Sequence, residues 1–161
     1  MIKITSLILT FLSLNLVFSQ NKQIDSLKVA LEAAKSDTAR ITALIGLAYE
    51  ANDDPEQQLS YAIQAYELGK EVNSVKHKSR SELVLGLFYS SSNLDSAIVF
   101  MESGAQRYLA NELFNYAVNA KYIIGVTYEI ENKLDSAISN YRKAYELGYE
   151  HKVLPEYGDA A

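Results

Sequence analysis

The sequence predicts an all-α protein built as a stack of antiparallel helix pairs. Three observations carry that reading. The phrases Ile45-Gly46-Leu47-Ala48-Tyr49, Leu85-Gly86-Leu87-Phe88-Tyr89 and Ile124-Gly125-Val126-Thr127-Tyr128 repeat, with glycines 40 and 39 residues apart. Ala65-Tyr66-Glu67-Leu68-Gly69 recurs letter for letter as Ala144-Tyr145-Glu146-Leu147-Gly148, 79 residues on, the same offset that separates Gly46 from Gly125. A fixed period of this size marks units that stack because none buries its apolar face alone. Finally, the 161 residues hold 2 prolines and 7 glycines, too few helix breakers to interrupt long helices often.

From the N-terminus, Met1-Ile2-Lys3 is a basic n-region and Ile4 to Phe18 an uncharged apolar stretch interrupted by Thr5, Ser6, Thr10, Ser13 and Asn15. Val17-Phe18-Ser19 then ends on a small residue. This order predicts a signal peptide over residues 1–19, cleaved after Ser19, and export to the periplasm or the outside. A membrane anchor needs roughly 20 apolar residues, and this stretch falls short. No membrane insertion is expected after cleavage. With no cysteine in the chain, a lipid anchor on that residue, disulfides and thiolate metal sites are excluded.

Residues 20–37 predict a leading, capping helix, with Ile24, Leu27, Leu31 and Ala34 on one face and Ser36-Asp37-Thr38 as the next helix start. The first unit, 38–72, reads as a helix from Thr38 to Asn52, a turn at Asn52-Asp53-Asp54-Pro55, and a helix to Glu71. Asp54 serves as cap and Pro55 takes the first position, where a missing N–H costs nothing. The second unit, 75–110, reads as helices from Val75 to Ser91 and from Leu94 to Tyr108. The third, 114–149, reads as Phe114 to Glu131 and Leu134 to Leu147, closed by Gly148 in the left-handed conformation. Residues 150–161 are either a frayed tail or the start of a missing fourth unit, whose glycine would fall due near 164 or 165.

Each phrase glycine costs its helix about 1 kcal/mol relative to alanine. Three such costs at equivalent positions predict that Gly46, Gly86 and Gly125 admit the paired second helix. Tyr49, Tyr89 and Tyr128, three residues on, are expected to fill the space beside that contact as core.

These residues resemble the tetratricopeptide repeat family, whose signature includes W-x2-L-G-x2-Y, A-x3-F and a closing proline. The resemblance covers residues 38 to 148. The L-G-x2-Y element matches in all three units; Ala137-x3-Tyr141 and Ala97-x3-Met101 match the second element, while Gln58 and Ala62 stand there in unit one. Thr42, Glu82 and Lys121 occupy the tryptophan position, the proline is absent, and the period exceeds the usual figure of about 34. The resemblance implies a right-handed superhelical solenoid that binds a protein or peptide ligand in a groove lined by the first helix of each pair. By register from each glycine, that groove is Arg40, Ala43, Leu47 and Glu50, then Arg80, Leu83, Leu87 and Ser90, then Asn119, Tyr122, Val126 and Glu129. Leu47 and Leu87 stand where the carboxylate-clamping subgroup carries asparagines, which argues against that ligand.

The chain carries a net charge of −5, and loss of Lys3 on cleavage leaves 14 basic residues against 20 acidic, which disfavours nucleic acid. His77 and His151 fall in the joints between units without metal-ligand spacing and are expected to be solvated. Asp53-Asp54 and Glu129/Glu131 fall at turns. With no catalytic motif, neither enzyme activity nor a cofactor is expected. The leading expectation is therefore an exported, non-catalytic interaction module. Ile24-Asp25-Ser26-Leu27 and Asp37-Thr38-x-Arg40 also resemble exported repeat regions of bacterial sensors, so a truncated sensory region of a histidine kinase or helix-turn-helix regulator is the alternative. A self-assembling piece, associating through an uncapped last unit, is a third.

Overall fold

The computed structural model describes residues 22–51 and 54–153. They form seven α-helices and, among the described residues, no strand: α1 (22–33), α2 (Asp37–Glu50), α3 (Pro55–Glu71), α4 (Val75–Tyr89), α5 (Leu94–Ala110), α6 (Phe114–Ile130) and α7 (Leu134–Glu150). Residues 1–21, where a signal peptide is expected over 1–19, Asn52 and Asp53, where a turn is expected, and residues 154–161 lie outside them.

Local chemistry sets three of the helix starts. Ser36 caps α2, its side chain accepting from the Ala39 N–H; Asp54 caps α3 from the Gln57 N–H with Pro55 leading; Asn93 caps α5 from the Ser96 N–H. Leu94-Asp95-Ser96-Ala97-Ile98 and Leu134-Asp135-Ser136-Ala137-Ile138 open α5 and α7 identically, yet Lys133 offers α7 no side-chain cap. Ile24, Leu27 and Leu31 of α1 and Ala34 just beyond it are half-buried and the residues between Ile24 and Leu31 otherwise exposed, so the expected face turns inward.

Helix ends depart from expectation. The helix α7 runs past Gly148 to Glu150, and Gly148 is a buried helical residue and not a left-handed terminator. Left-handed backbone falls instead on Glu112, Asn132 and Lys152, with φ of 57°, 56° and 55°. Each sits one residue beyond a C-cap. The N–H of the residue after it returns to a carbonyl five residues back: Leu113 to Tyr108, Lys133 to Tyr128 and Val153 to Gly148. These are Schellman closures, made here without glycine.

Neighbouring helices pack in sequence order, most extensively within α2–α3, α4–α5 and α6–α7, then across α3–α4 and α5–α6. Helices α2, α4 and α6 also approach one another in series through their backbones, whereas α3 and α5 meet through the Tyr66 and Phe100 rings, with centroids 5.4 Å apart. One buried cluster joins Ile41, Leu44, Ile45 and Ala48 of α2 to Ala62 and Ala65 of α3 and to Val84 and Leu85 of α4. A second joins Leu83 to Met101, Ala105 and Tyr108 of α5 and to Ala117, Ala120 and Ile124 of α6. Ala97 and Ala137 are buried, where a larger side chain would part the paired helices.

The three phrase glycines do not share one neighbour. A methyl group at Gly86 would stand 2.7 Å from the Ala97 carbonyl oxygen of α5, and at Gly125 it would meet the Tyr141 ring of α7 at 2.5 Å; both are the expected paired helix. At Gly46 it would meet Leu27 of α1 at 2.9 Å instead. Ala62 on α3 is too short to fill that gap, and the leading helix fills it. The tyrosine stripe also departs from the core expected of it: Tyr89 and Tyr128 are half-buried, but Tyr49 is 39% exposed, edge-on to Phe88 at 5.5 Å.

The tryptophan-position charges are buried and paired. Arg107 Nη2 donates to Glu82 Oε1 at 2.9 Å, and Lys121 Nζ donates to Glu102 Oε2 at 2.5 Å. Thus α5 supplies one ion-pair partner of each sign, Glu102 reaching to α6 and Arg107 to α4.

Candidate functional site

Each first helix presents its groove positions at steps of three, four and three residues, which keeps them on one helical face. Burial then sorts them. Arg40, Arg80, Asn119 and Tyr122 are exposed, and Leu87 and Val126 are half-buried. Ala43, Leu47 and Leu83 have exposures of 5%, 0% and 5%, so these three are core residues with no surface for a partner. Leu83 belongs to the buried cluster with α5 and α6 and lines the gap left by the missing side chain of Gly104.

The exposed residues are not equivalent. Arg40 leans on Asp37 one turn earlier, at 4.0 Å between largely exposed side chains, a pair worth little. Arg80 stands among groups from three helices, and its charge is felt at Tyr49 of α2, Tyr108 of α5 and His77 of α4. Burial raises both phenols above their usual value, and Arg80 opposes it. His77 is held below the usual imidazole value, first by desolvation, then by Lys76 and Arg80. Its Nδ1 lies 2.8 Å from Ser74 Oγ. Neither histidine is a solvated joint residue: both are half-buried, His77 inside α4 and His151 capping α7 with its ring stacked on Phe114 at 3.5 Å.

The third unit holds a constellation that register alone missed. Tyr141 reaches from α7 across Gly125, and its hydroxyl donates to Glu129 Oε2. Its ring centroid is 5.4 Å from that of Tyr122, tilted by 38°. Tyr122 is 55% exposed. Burial, and then the bond to Glu129, push the Tyr141 phenol up to about 12. Tyr141, read from sequence as a packing residue, therefore joins Tyr122 and Glu129 into one row. A signal was present: a tyrosine stands where unit two has Met101, and a glutamate where it has Ser90.

No group of three or more His, Cys, Asp or Glu able to hold a metal occurs among the described residues, and none of their helices is long and apolar enough to cross a membrane. Comparison of the chain with family models, with curated proteins and with solved structures finds no match.

Proposed function

We propose that this chain is an exported, non-catalytic interaction module of tetratricopeptide type, which binds a peptide segment of a partner protein along the faces of α2, α4 and α6. The serial backbone approach of those three helices, closer than that among α3, α5 and α7, supports a right-handed solenoid whose inner side is made of first helices. The observation that carries the binding reading is the character of the residues left outside the core on that side. Arg80, Asn119 and Tyr122 are exposed beside half-buried Leu87 and Val126, the mix of cation, amide, aromatic and apolar surface from which peptide grooves are made.

The test is capture of partners from periplasmic extract by the mature chain, compared with Tyr122→Ala and Arg80→Glu. Loss of the same partner bands in both variants, with helical content unchanged by circular dichroism, is the expected result. Equal recovery by all three proteins overturns the groove. Export is tested separately: N-terminal sequencing of the protein recovered from its producing cells should begin at Gln20.

A further inference from the structure

The row Tyr122–Tyr141–Glu129 has more specific chemistry than the rest of that face. Tyr122 and Glu129 lie two turns apart on α6, about 10 Å along the axis. Tyr141 bridges them, because Gly125 between them has no side chain to hold it off. The result is two adjoining aromatic rings ending in a carboxylate. Tyr122 and Glu129 are exposed, and Tyr141 is half-buried.

All three elements attract positive charge: ring faces carry negative potential, and Glu129 carries a full negative charge. Tyr141 donates to Oε2 of Glu129, which leaves Oε1 as an acceptor. Among the described residues, the lysines that stand over tyrosine rings are Lys70 over Tyr66 and Lys76 over Tyr116, neither on this row, and the four ion pairs do not include Glu129. The row is thus a negative surface that the described part of the chain does not neutralise. Units one and two have no counterpart: Leu27 and Met101 fill the glycine gaps there.

We propose that this row is a binding site for an arginine side chain of the peptide partner. The aliphatic stem lies on Tyr122, the guanidinium plane stacks over Tyr141, and the fork donates to Glu129 Oε1. A planar, weakly hydrated cation with fixed donors suits stacking and carboxylate bonding together, and a compact ammonium does not. The carrier peptide comes from the groove reading above; the arginine site is a separate claim about unit three.

The experiment is an NMR titration of the full chain with Nα-acetyl-arginine methylamide, against the citrulline analogue, which keeps the shape and lacks the charge. The expected result is a set of shift changes confined to Tyr122, Tyr141, Glu129 and their neighbours, seen with arginine and absent with citrulline. Tyr122→Ala and the isosteric Glu129→Gln each weaken binding about threefold to tenfold. Tyr141→Phe keeps the ring, frees Glu129 and retains binding. Equal responses to arginine and citrulline, or binding indifferent to both Tyr122→Ala and Glu129→Gln, overturn the site. The two readings fail separately. No arginine response, with partner capture still lost in Arg80→Glu, removes this site and leaves the groove. A localised arginine response, with partner capture indifferent to every groove variant, supports the site and removes the groove.

Discussion

Gly86 and Gly125 occupy the same place in the same phrase, yet the structure uses them differently. At Gly86 the paired helix comes close with its backbone, and fully buried Met101 completes a sealed core. At Gly125 the neighbour is the Tyr141 ring, which passes over the glycine and ends at Glu129 in solvent reach. One gap is closed by an apolar side chain without a polar end. The other is closed by a side chain that needs a partner for its hydroxyl and finds it at the surface. A repeated glycine therefore specifies a space between helices, and the residue that enters decides whether the space is sealed or opens toward the surface.

The largest effect should come from breaking the sealed copy. Gly86→Ala sets a methyl against the Ala97 carbonyl, which cannot rotate away, so a net loss of about 2–3 kcal/mol is expected even after alanine's gain in helix propensity. Gly125→Ala meets a side chain able to swing outward, and its net change should lie within about 1 kcal/mol while Tyr141 leaves Glu129. Urea unfolding of both variants checks the difference; equal losses would erase the distinction between a sealed space and one open toward the surface.

Next in size is the buried pair of the sealed unit. Glu82→Ala leaves Arg107 without its acceptor at a position one-third exposed, so about 1–2 kcal/mol should be lost. The double variant Glu82→Met with Arg107→Met should recover much of that loss, as an apolar replacement of both partners avoids burying an unpaired charge. Measuring the full cycle separates the pair's coupling from simple loss of packing.

A smaller gain is expected at the joint between the two units. Glu112 holds a left-handed conformation that glycine adopts without strain, and Glu112→Gly should stabilise the chain by about 1 kcal/mol in the same assay. No gain would mean that the side chain contributes to the turn beyond its backbone.

The smallest effect near neutrality grows with pH. Tyr108, buried and donating to the Lys76 carbonyl, is raised well above the usual phenol range, and Tyr141 to about 12. The folded state therefore keeps protons that the unfolded state releases near pH 10. Stability should be unaffected by these groups below that pH and fall progressively from about pH 10 upward. Urea midpoints measured across that range should decline less steeply in Tyr108→Phe; an identical slope would exclude Tyr108 as a source.

Much of the helical layout was legible because its signals are local. Asp54 and Pro55 announce α3 and Ser36 announces α2, since a cap acts within three residues of itself. Helix ends were less legible. Asn132 is a residue type that adopts the left-handed conformation readily, but nothing in the chain marks Glu112 or Lys152; there hydrogen bonds to the preceding helix impose it. The proposed groove face was read from register alone, and the depth of its residues was misjudged. The spacing that puts Ala43 and Leu47 on one face with Arg40, and Leu83 on one face with Arg80, carries no information about how deeply the packed helices bury each position.

By itself, the sequence determined the helical class, the period and the positions where helices meet without side chains, because propensity, capping and periodicity act through neighbours along the chain. The tertiary structure alone decided what fills each gap: Leu27 from a helix outside the repeats, Met101 from within, Tyr141 from the last helix. Those contacts join residues 15 to 19 positions apart, and their identity depends on which side chain is long enough to cross. The pairing of Glu102 and Arg107 with opposite neighbours, and the row of Tyr122, Tyr141 and Glu129, arise in the same way. Each requires two helices to be docked before its chemistry exists.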